Sequence, residues 1–309
     1  MTGGEKRKLV AFAIIFVVVS VLPLVDKGYW LSQGVSLAMY TVLATSWALF
    51  SGPTNYISLA TAAFYGVGMY TVAIGLDTMP FWALVILAGV IGAALAALVG
   101  LATLRISGVY FVIFTLGMSE LIRQITVWAQ ATMGTQAGLY VLTDMTDPVL
   151  YWLLLGLAAV VYLLGWWINR SRLGFALRII GNDEVVAVHA GINTARAKVV
   201  LFIISCAFAS ITGALVAPRW SYIEPTLAFS PFISFTVVIM ALFGGVHRLW
   251  GPLVGVIPFS VLLEFVNRVA PAQSTWVLGA AFLLIVYFIP RGFVGLIEDH
   301  TAKWRRGDG

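Results

Sequence analysis

Two opposite charges three residues apart, Glu120 and Arg123, stand in the middle of an apolar run from 108 to 131. At 1.5 Å per residue they lie about 18 Å and about 22 Å along it, where each charge costs about 2.5–3.5 kcal/mol on membrane-insertion scales. Such groups face protein or water, and i,i+3 spacing lets them pair with each other. Glu120 is also a candidate for lining a translocation path. Glu264 and Arg268, spaced i,i+4, invite structural pairing more strongly. Other chemistry finds little support. His189, His247 and His300 show no HExxH or other ligand spacing, so they define no metal or acid–base site. Cys206 is the single cysteine, which excludes a disulfide framework and a thiol metal site. No GxxxxGK[ST] loop is present to bind and hydrolyse ATP, and neither GxSxG nor a pair of aspartates within spans supports intramembrane proteolysis. No catalytic residue, cofactor or metal is expected, and transport is the reading that remains.

The elements that carry these charges are membrane helices. The chain is 61% hydrophobic and 10% charged, far from the soluble norm of about 45–50% and about 25%, with a mean hydropathy of +0.98. Apolar runs able to cross a core of about 30 Å fall at 9–25, 30–50, 56–75, 81–104, 108–131, 149–168, 197–218, 231–244, 251–269 and 275–290. The expectation is therefore an all-α polytopic membrane protein with about ten transmembrane helices. It forms one domain over 1–309, since no extramembrane segment is long enough to fold alone. With the N-terminus inside, fourteen of the eighteen lysines and arginines fall on the cytoplasmic side; Lys27, Arg219 and Arg268 fall outside and Arg123 within a span. That bias predicts both termini in the cytoplasm. It also accounts for the net charge of +5 without nucleic acid. Ten of the eleven tryptophans, Trp47, Trp128 and Trp166 among them, lie near span ends, where an indole suits headgroup depth. The basic, apolar N-terminus is read as a retained first helix, because its run is long for a signal and no small-x-small cleavage site follows.

The segment 171–196 breaks the apolar pattern. Here Asn182 reads as an N-cap, Asp183 and Glu184 put negative charge in a first turn, and Gly191 is the expected C′ residue. A helix of about two turns, Asp183 to Ala190, is predicted, preceded by a stretch Phe175 to Ile180 broken off at Gly181. So short a helix is marginal alone in water. It needs a soluble partner or the membrane-proximal body to hold it. Arg178, Asn182, Asp183, Glu184, Ala187 and Gly191 are the coupling candidates, with Ala187 as a small contact position.

These residues carry a resemblance. Gly174, Ala176, Leu177 and Arg178, then Asn182, Asp183 and Glu184, then Ala190, Gly191, Ile192 and Asn193 resemble the coupling-loop signature of bacterial ABC importer permeases of the branched-chain amino-acid type, the LivM-like half of the LivH/LivM family. Ser58, Ala62, Ala63, Phe64, Gly66, Gly68 and Tyr70 resemble its third-span motif, and Arg105, Gly108, Tyr110, Phe111, Thr115, Leu116 and Glu120 its next signature. Tyr222, Ile223 and Pro225, then Gly244, Gly245, Leu249, Trp250, Gly251, Pro252 and Gly255, resemble the late glycine-rich turn; Pro290, Arg291 and Gly292 resemble the ending. The resemblance covers about residues 30 to 295. It implies an ABC importer permease fold in a bacterial inner membrane. It implies a heterodimer with a homologous LivH-like subunit, two cytoplasmic ATPase subunits that use the ATP, a periplasmic substrate-binding protein, and leucine, isoleucine, valine or a related solute as cargo. Tyr56, Ala60 and Thr61 stand where the family commonly has Gln, Gly and His, and Glu224 replaces a frequent Ser. Urea, short amides and aromatic acids therefore stay open as cargo, although Ala190, Gly191 and Ile192 differ from the Leu-Gly-Tyr more usual in urea permeases. From another class, an ATP-independent secondary transporter or channel is the rival.

The path itself is sought at helix breaks, because freed backbone groups at membrane depth are tolerated where they line a cavity. Ser51 to Asn55 leading into Ser58, and Gly244 to Pro252, are such breaks, with Ser58, Thr61, Thr115 and Glu120 as candidate lining residues. Hydroxyls in spans also bond their own helix backbone. Gly92, Ala96 and Gly100 form a small-xxx-small stripe expected to pack within the chain.

Overall fold

The computed structural model describes residues 20–25, 28–103, 108–132, 138–143, 145–269 and 273–288. Among these residues the chain is helical almost throughout, as a backbone that must satisfy its own hydrogen bonds in lipid requires. In order come α1 (Leu22–Val25), α2 (Tyr29–Thr54), α3 (Thr61–Gly75), α4 (Phe81–Thr103), α5 (Val109–Thr132), strand β1 (Leu139–Tyr140) and α6 (Asp147–Arg170). Then follow α7 (Arg172–Asn182), α8 (Glu184–His189), α9 (Thr194–Val216), strand β2 (Tyr222–Ile223), α10 (Pro225–Ala228), α11 (Pro231–Gly244), α12 (Gly251–Val269) and α13 (Ser274–Phe288). Seven helices among the described residues are long and apolar enough to cross a membrane: α2, α4, α5, α6, α9 with the 3₁₀ turn that follows it, α10 together with α11, and α12. The runs expected at 56–75 and 275–290 form helices of 15 residues each. The run at 9–25 and the chain ending lie mostly outside the described residues.

The core is built around α9, which packs along α4, α3 and α2. Small residues let these backbones approach. A Cβ at Gly68 would meet the Ser210 carbonyl oxygen at 1.9 Å, and one at Gly92 would meet Ser210 Oγ at 2.1 Å. The expected stripe does pack inside the chain, with Gly92, Ala96 and Gly100 all buried. Helices α11 and α12 form a second tight pair: a Cβ on Gly255 would lie 2.0 Å from the Met240 carbonyl oxygen. Helix α6 lies against α2, where the Thr45 hydroxyl donates to Tyr162 Oη at 3.1 Å. Phe50, Phe64, Phe111 and Phe202 meet edge-on or tilted in the centre.

At one end of the bundle β1 and β2 pair antiparallel, with Leu139 opposite Ile223 and Tyr140 opposite Tyr222. There Arg219 donates to Ser36 Oγ at 3.2 Å and to the Ser32 carbonyl at 3.1 Å, fastening the end of α9 to the start of α2. Glu264 and Arg268 pair at 3.5 Å as their spacing predicts, and Tyr29 adds a hydroxyl donor to Glu264 at 3.2 Å. At the opposite end α7 and α8 fold under the bundle. Trp47 departs from the expected interfacial role: it is 2% exposed, and its indole N–H donates to the Ser58 carbonyl at 2.7 Å. A buried indole needs a partner for that N–H, and the non-helical chain after α2 supplies one.

Candidate coupling and translocation site

Helix α8 forms where the sequence places it, with its cap moved by one residue. Asp183, not Asn182, is the N-cap: its carboxylate accepts from Val185 N at 2.8 Å and Val186 N at 3.3 Å. Asn182 is the last residue of α7, which runs on through Gly181 rather than breaking there. An aspartate combines the capping oxygen with the negative charge that a helix N-terminus favours, so it outcompetes its neighbour. At the other end Gly191 takes φ +78°. Gly191 N donates to Val188 O and Ile192 N to Ala187 O, both at 3.0 Å. This is a Schellman closure. Of the apolar residues, Val185, Val186 and Val188 are exposed, whereas Ala187 is completely buried. Ala187 therefore packs against this chain's own body and offers no contact to a partner. Arg178 is exposed and donates to the Asn169 carbonyl at 3.3 Å.

Beneath α8 lies a buried cation. Lys198 is 2% exposed, ion-paired to Glu184 Oε1, donating to Tyr56 Oη at 3.0 Å and seated 4.1 Å from the Tyr56 ring centroid. Counted by charge alone, Lys198 belongs with the solvated cytoplasmic cations. The readable signal was its phase: Thr194, Ala197, Lys198 and Leu201 share the buried stripe of α9. A second tie is Asn55, left-handed at φ 57° as the C-cap of α2, whose amide donates to the Gly181 carbonyl at 3.1 Å. Both ties connect the α7–α8 loop to the non-helical residues 55–60.

That irregular stretch is held by side chains. Leu59 N donates to Thr115 Oγ1 at 3.0 Å, and the Leu59 carbonyl accepts from Ser119 at 3.1 Å and Ser234 at 2.8 Å. Ser234 Oγ also accepts from Ala62 N at 2.8 Å, and Ser58 Oγ from Ala60 N at 3.3 Å. Backbone freed from helix inside a membrane protein has to be satisfied this way. Of the candidate path residues, Ser58, Thr61 and Thr115 are all buried. Ser58 and Thr115 serve backbone groups rather than an open channel. Ser119 and Ser234, which complete this clasp, were not singled out from the sequence. A serine within an apolar helix gives no sign of which backbone it will meet.

Glu120 sits next to the clasp and points elsewhere. Arg123 Nε donates to Glu120 Oε2 at 2.9 Å, Arg123 Nη2 pairs with Oε1, and Gln124 donates to Oε1 at 2.9 Å. The pairing expected from i,i+3 spacing is present. Yet Glu120 keeps 47% of its side chain exposed, and Arg123 22%, about 17 Å from the start of α5. The structure thus does not bring Glu120 together with Ser58, Thr61 and Thr115 in one cavity. Thr115 lies on the core-facing side of α5, buried like Ser58 and Thr61, whereas Glu120 is on the outward side. The glycine-rich turn after α11 does line a cavity of about 730 Å³, together with Gly52, Pro53, Arg178, Asn182, His247 and Arg248.

A multi-pass bundle with a helical loop folded under one end and charges at mid-span has the architecture of a polytopic membrane protein, and comparison with known proteins gives its family. Residues 31–287 match the family described as branched-chain amino acid transport system / permease component, and the chain belongs to that family. It is 27% identical to the high-affinity branched-chain amino acid transport system permease protein LivM of Salmonella typhimurium, over 94% of this chain and 75% of that one. It is 28% identical to LivH of the same organism over 43% of this chain and 42% of the relative. To the ribose import permease protein RbsC of Haemophilus influenzae it is 23% identical, over 48% and 46% of the two chains.

Proposed function

We propose that this chain is one permease subunit of an ATP-driven importer in a bacterial inner membrane, with both termini in the cytoplasm and about ten spans in one domain. It pairs with a LivH-like subunit, two cytoplasmic ATPases and a periplasmic binding protein. Its cargo is leucine, isoleucine, valine or a related small solute. Relatives named for amino acids and for ribose leave that last choice to experiment, with urea, amides and aromatic acids still open.

One observation carries the reading: a two-turn helix, capped at both ends, presents three exposed valines while its first residue grips Lys198 and, through it, Tyr56 at the break after α2. An exposed apolar patch on so short a helix suits insertion into a groove on a soluble ATPase. The Lys198 bridge then passes its motion to residues 55–60 and the clasp on α5.

The test is purification of the intact complex through a tag on this chain, with substrate-stimulated ATPase activity and uptake measured in vesicles. Val188→Glu places a charge on the docking face, and Gly191→Val penalises the left-handed C′ residue. Both variants should remain inserted yet lose ATPase association or uncouple hydrolysis from uptake. Wild-type behaviour in both would remove α8 from the coupling path. Absence of any ATPase from the complex would favour the ATP-independent reading.

A further inference from the structure

The cavity beside the glycine-rich turn has an apolar base and a basic rim. Ala48, Leu49 and Leu177, all buried, make the base. The rim carries Arg178 on α7 and His247 and Arg248 on the turn, all exposed, with the exposed amides Asn169 and Asn182 as further polar wall. Among the described residues no aspartate or glutamate lines it. The nearest carboxylates in sequence are engaged elsewhere, Asp183 in capping α8 and Glu184 in pairing with Lys198. Arg178 gives one N–H to the Asn169 carbonyl, out of the five that a guanidinium offers. Two full positive charges from separate elements thus face one volume of about 730 Å³, and like charges so placed repel. The depth is that of a membrane surface. Trp166, in the last turn of α6, is 38% exposed, with the Arg170 guanidinium 4.2 Å from its ring centroid, an arrangement suited to headgroup level. Asn169, on the cavity wall, follows three residues later.

We propose that this cavity binds a phosphate-bearing anion, its phosphate held at the rim by Arg178 and Arg248. A guanidinium presents paired N–H donors that match phosphate oxygens, and the His247 ring adds a further donor. The head group of an anionic lipid fits the whole cavity: its phosphate meets the basic rim, and its glycerol and first methylenes meet the apolar base. Basic pockets between membrane helices take anionic head groups in this way. A free phosphate would use the rim alone. Either source turns the repulsion between α7 and the turn before α12 into a tie, at the end of the bundle that bears α8. The proposal goes beyond the importer reading and uses only this chain's own residues, so it stands whatever solute the permease carries.

The test uses the complex purified through a tag on this chain and stripped of lipid in detergent, with Cys206→Ala removing the native thiol and Asn169→Cys placing a reporter on the cavity wall. Phosphatidylglycerol should slow modification of this thiol by an uncharged maleimide. Phosphatidylcholine, whose head group carries its own cation, should protect far less. Arg178→Gln with Arg248→Gln should raise the half-protecting concentration of phosphatidylglycerol about ten- to hundredfold, the loss expected for a charge-assisted hydrogen bond. Both side chains are exposed, and Arg178→Lys with Arg248→Lys should keep most of the protection, which separates loss of charge from misfolding. Inorganic phosphate tells the two sources apart. Protection by phosphatidylglycerol and not by phosphate assigns a lipid head group; protection by phosphate, with or without the lipid, assigns a soluble anion. No protection by either, equal protection by phosphatidylcholine, undiminished protection in the glutamine variant, or a thiol at 169 that never reacts would each overturn the site.

Discussion

Lys198 is the residue on which this molecule's polar economy turns. Its ammonium is buried, whereas Glu184, its ion-pair partner, keeps 43% of its side chain exposed. The two halves of the pair are therefore not equivalent. Glu184→Gln strands a buried cation with one hydroxyl and one ring for company, which costs about 3 kcal/mol or more. Lys198→Met instead removes the buried charge, leaves Glu184 free to hydrate, and should cost about 1 kcal/mol or less. Thermal unfolding of the purified complex should show the glutamate variant as the less stable by several degrees. Equal shifts would mean that the cation is hydrated after all. Tyr56→Phe should fall between them, losing the 3.0 Å hydroxyl contact while keeping the ring beneath the ammonium.

Among the elements, the α11–α12 pair shows how backbone proximity sets what a glycine can tolerate. Gly255→Ala would press a methyl group to 2.0 Å from the Met240 carbonyl and force the helices apart, a loss of about 1–3 kcal/mol. Gly156, on the exposed side of α6, has nothing within 4 Å, and Gly156→Ala should be neutral or stabilise by about 0.5–1 kcal/mol through the helix propensity of alanine. Denaturation midpoints of the two variants should move in opposite directions or differ clearly; equal losses would contradict the packing. The helices themselves were legible because apolar runs of some 20 residues admit few other structures. The caps of α8 were legible to within one residue, because Asp183 and Gly191 act locally. The clasp at Leu59 was not, since Thr115, Ser119 and Ser234 come from two distant helices and a hydroxyl carries no sequence mark of its acceptor. Trp47 was misplaced for a related reason: position near a span end predicts depth, and says nothing of whether an indole faces lipid or core.

On the scale of the whole molecule, the two ends of the bundle differ in kind. One end carries the β1–β2 ribbon and the Arg219 fastening, the other the exposed valines of α8 and the cavity beside Arg178 and His247. Between Leu142 near the ribbon and Val188 on α8, only α6 is long and apolar enough to cross a membrane. In a Cys206→Ala background, Leu142→Cys should react with an impermeant maleimide on intact cells and Val188→Cys only after permeabilisation. Reaction of both from one side would overturn the proposed orientation.

The burial of Lys198 also has a chemical reading. Lys198 is the one lysine among the described residues, and it is folded under α8. Acylating reagents attack a free amine that they can reach, and while Glu184 and Tyr56 enclose it this nitrogen is out of reach. Any movement that parts it from Glu184 and Tyr56, such as lifting of α8 from the body, would expose it to reagent. Under the coupling proposed for α8, acylation of this native lysine, read by mass spectrometry, should follow the working stroke with no residue substituted.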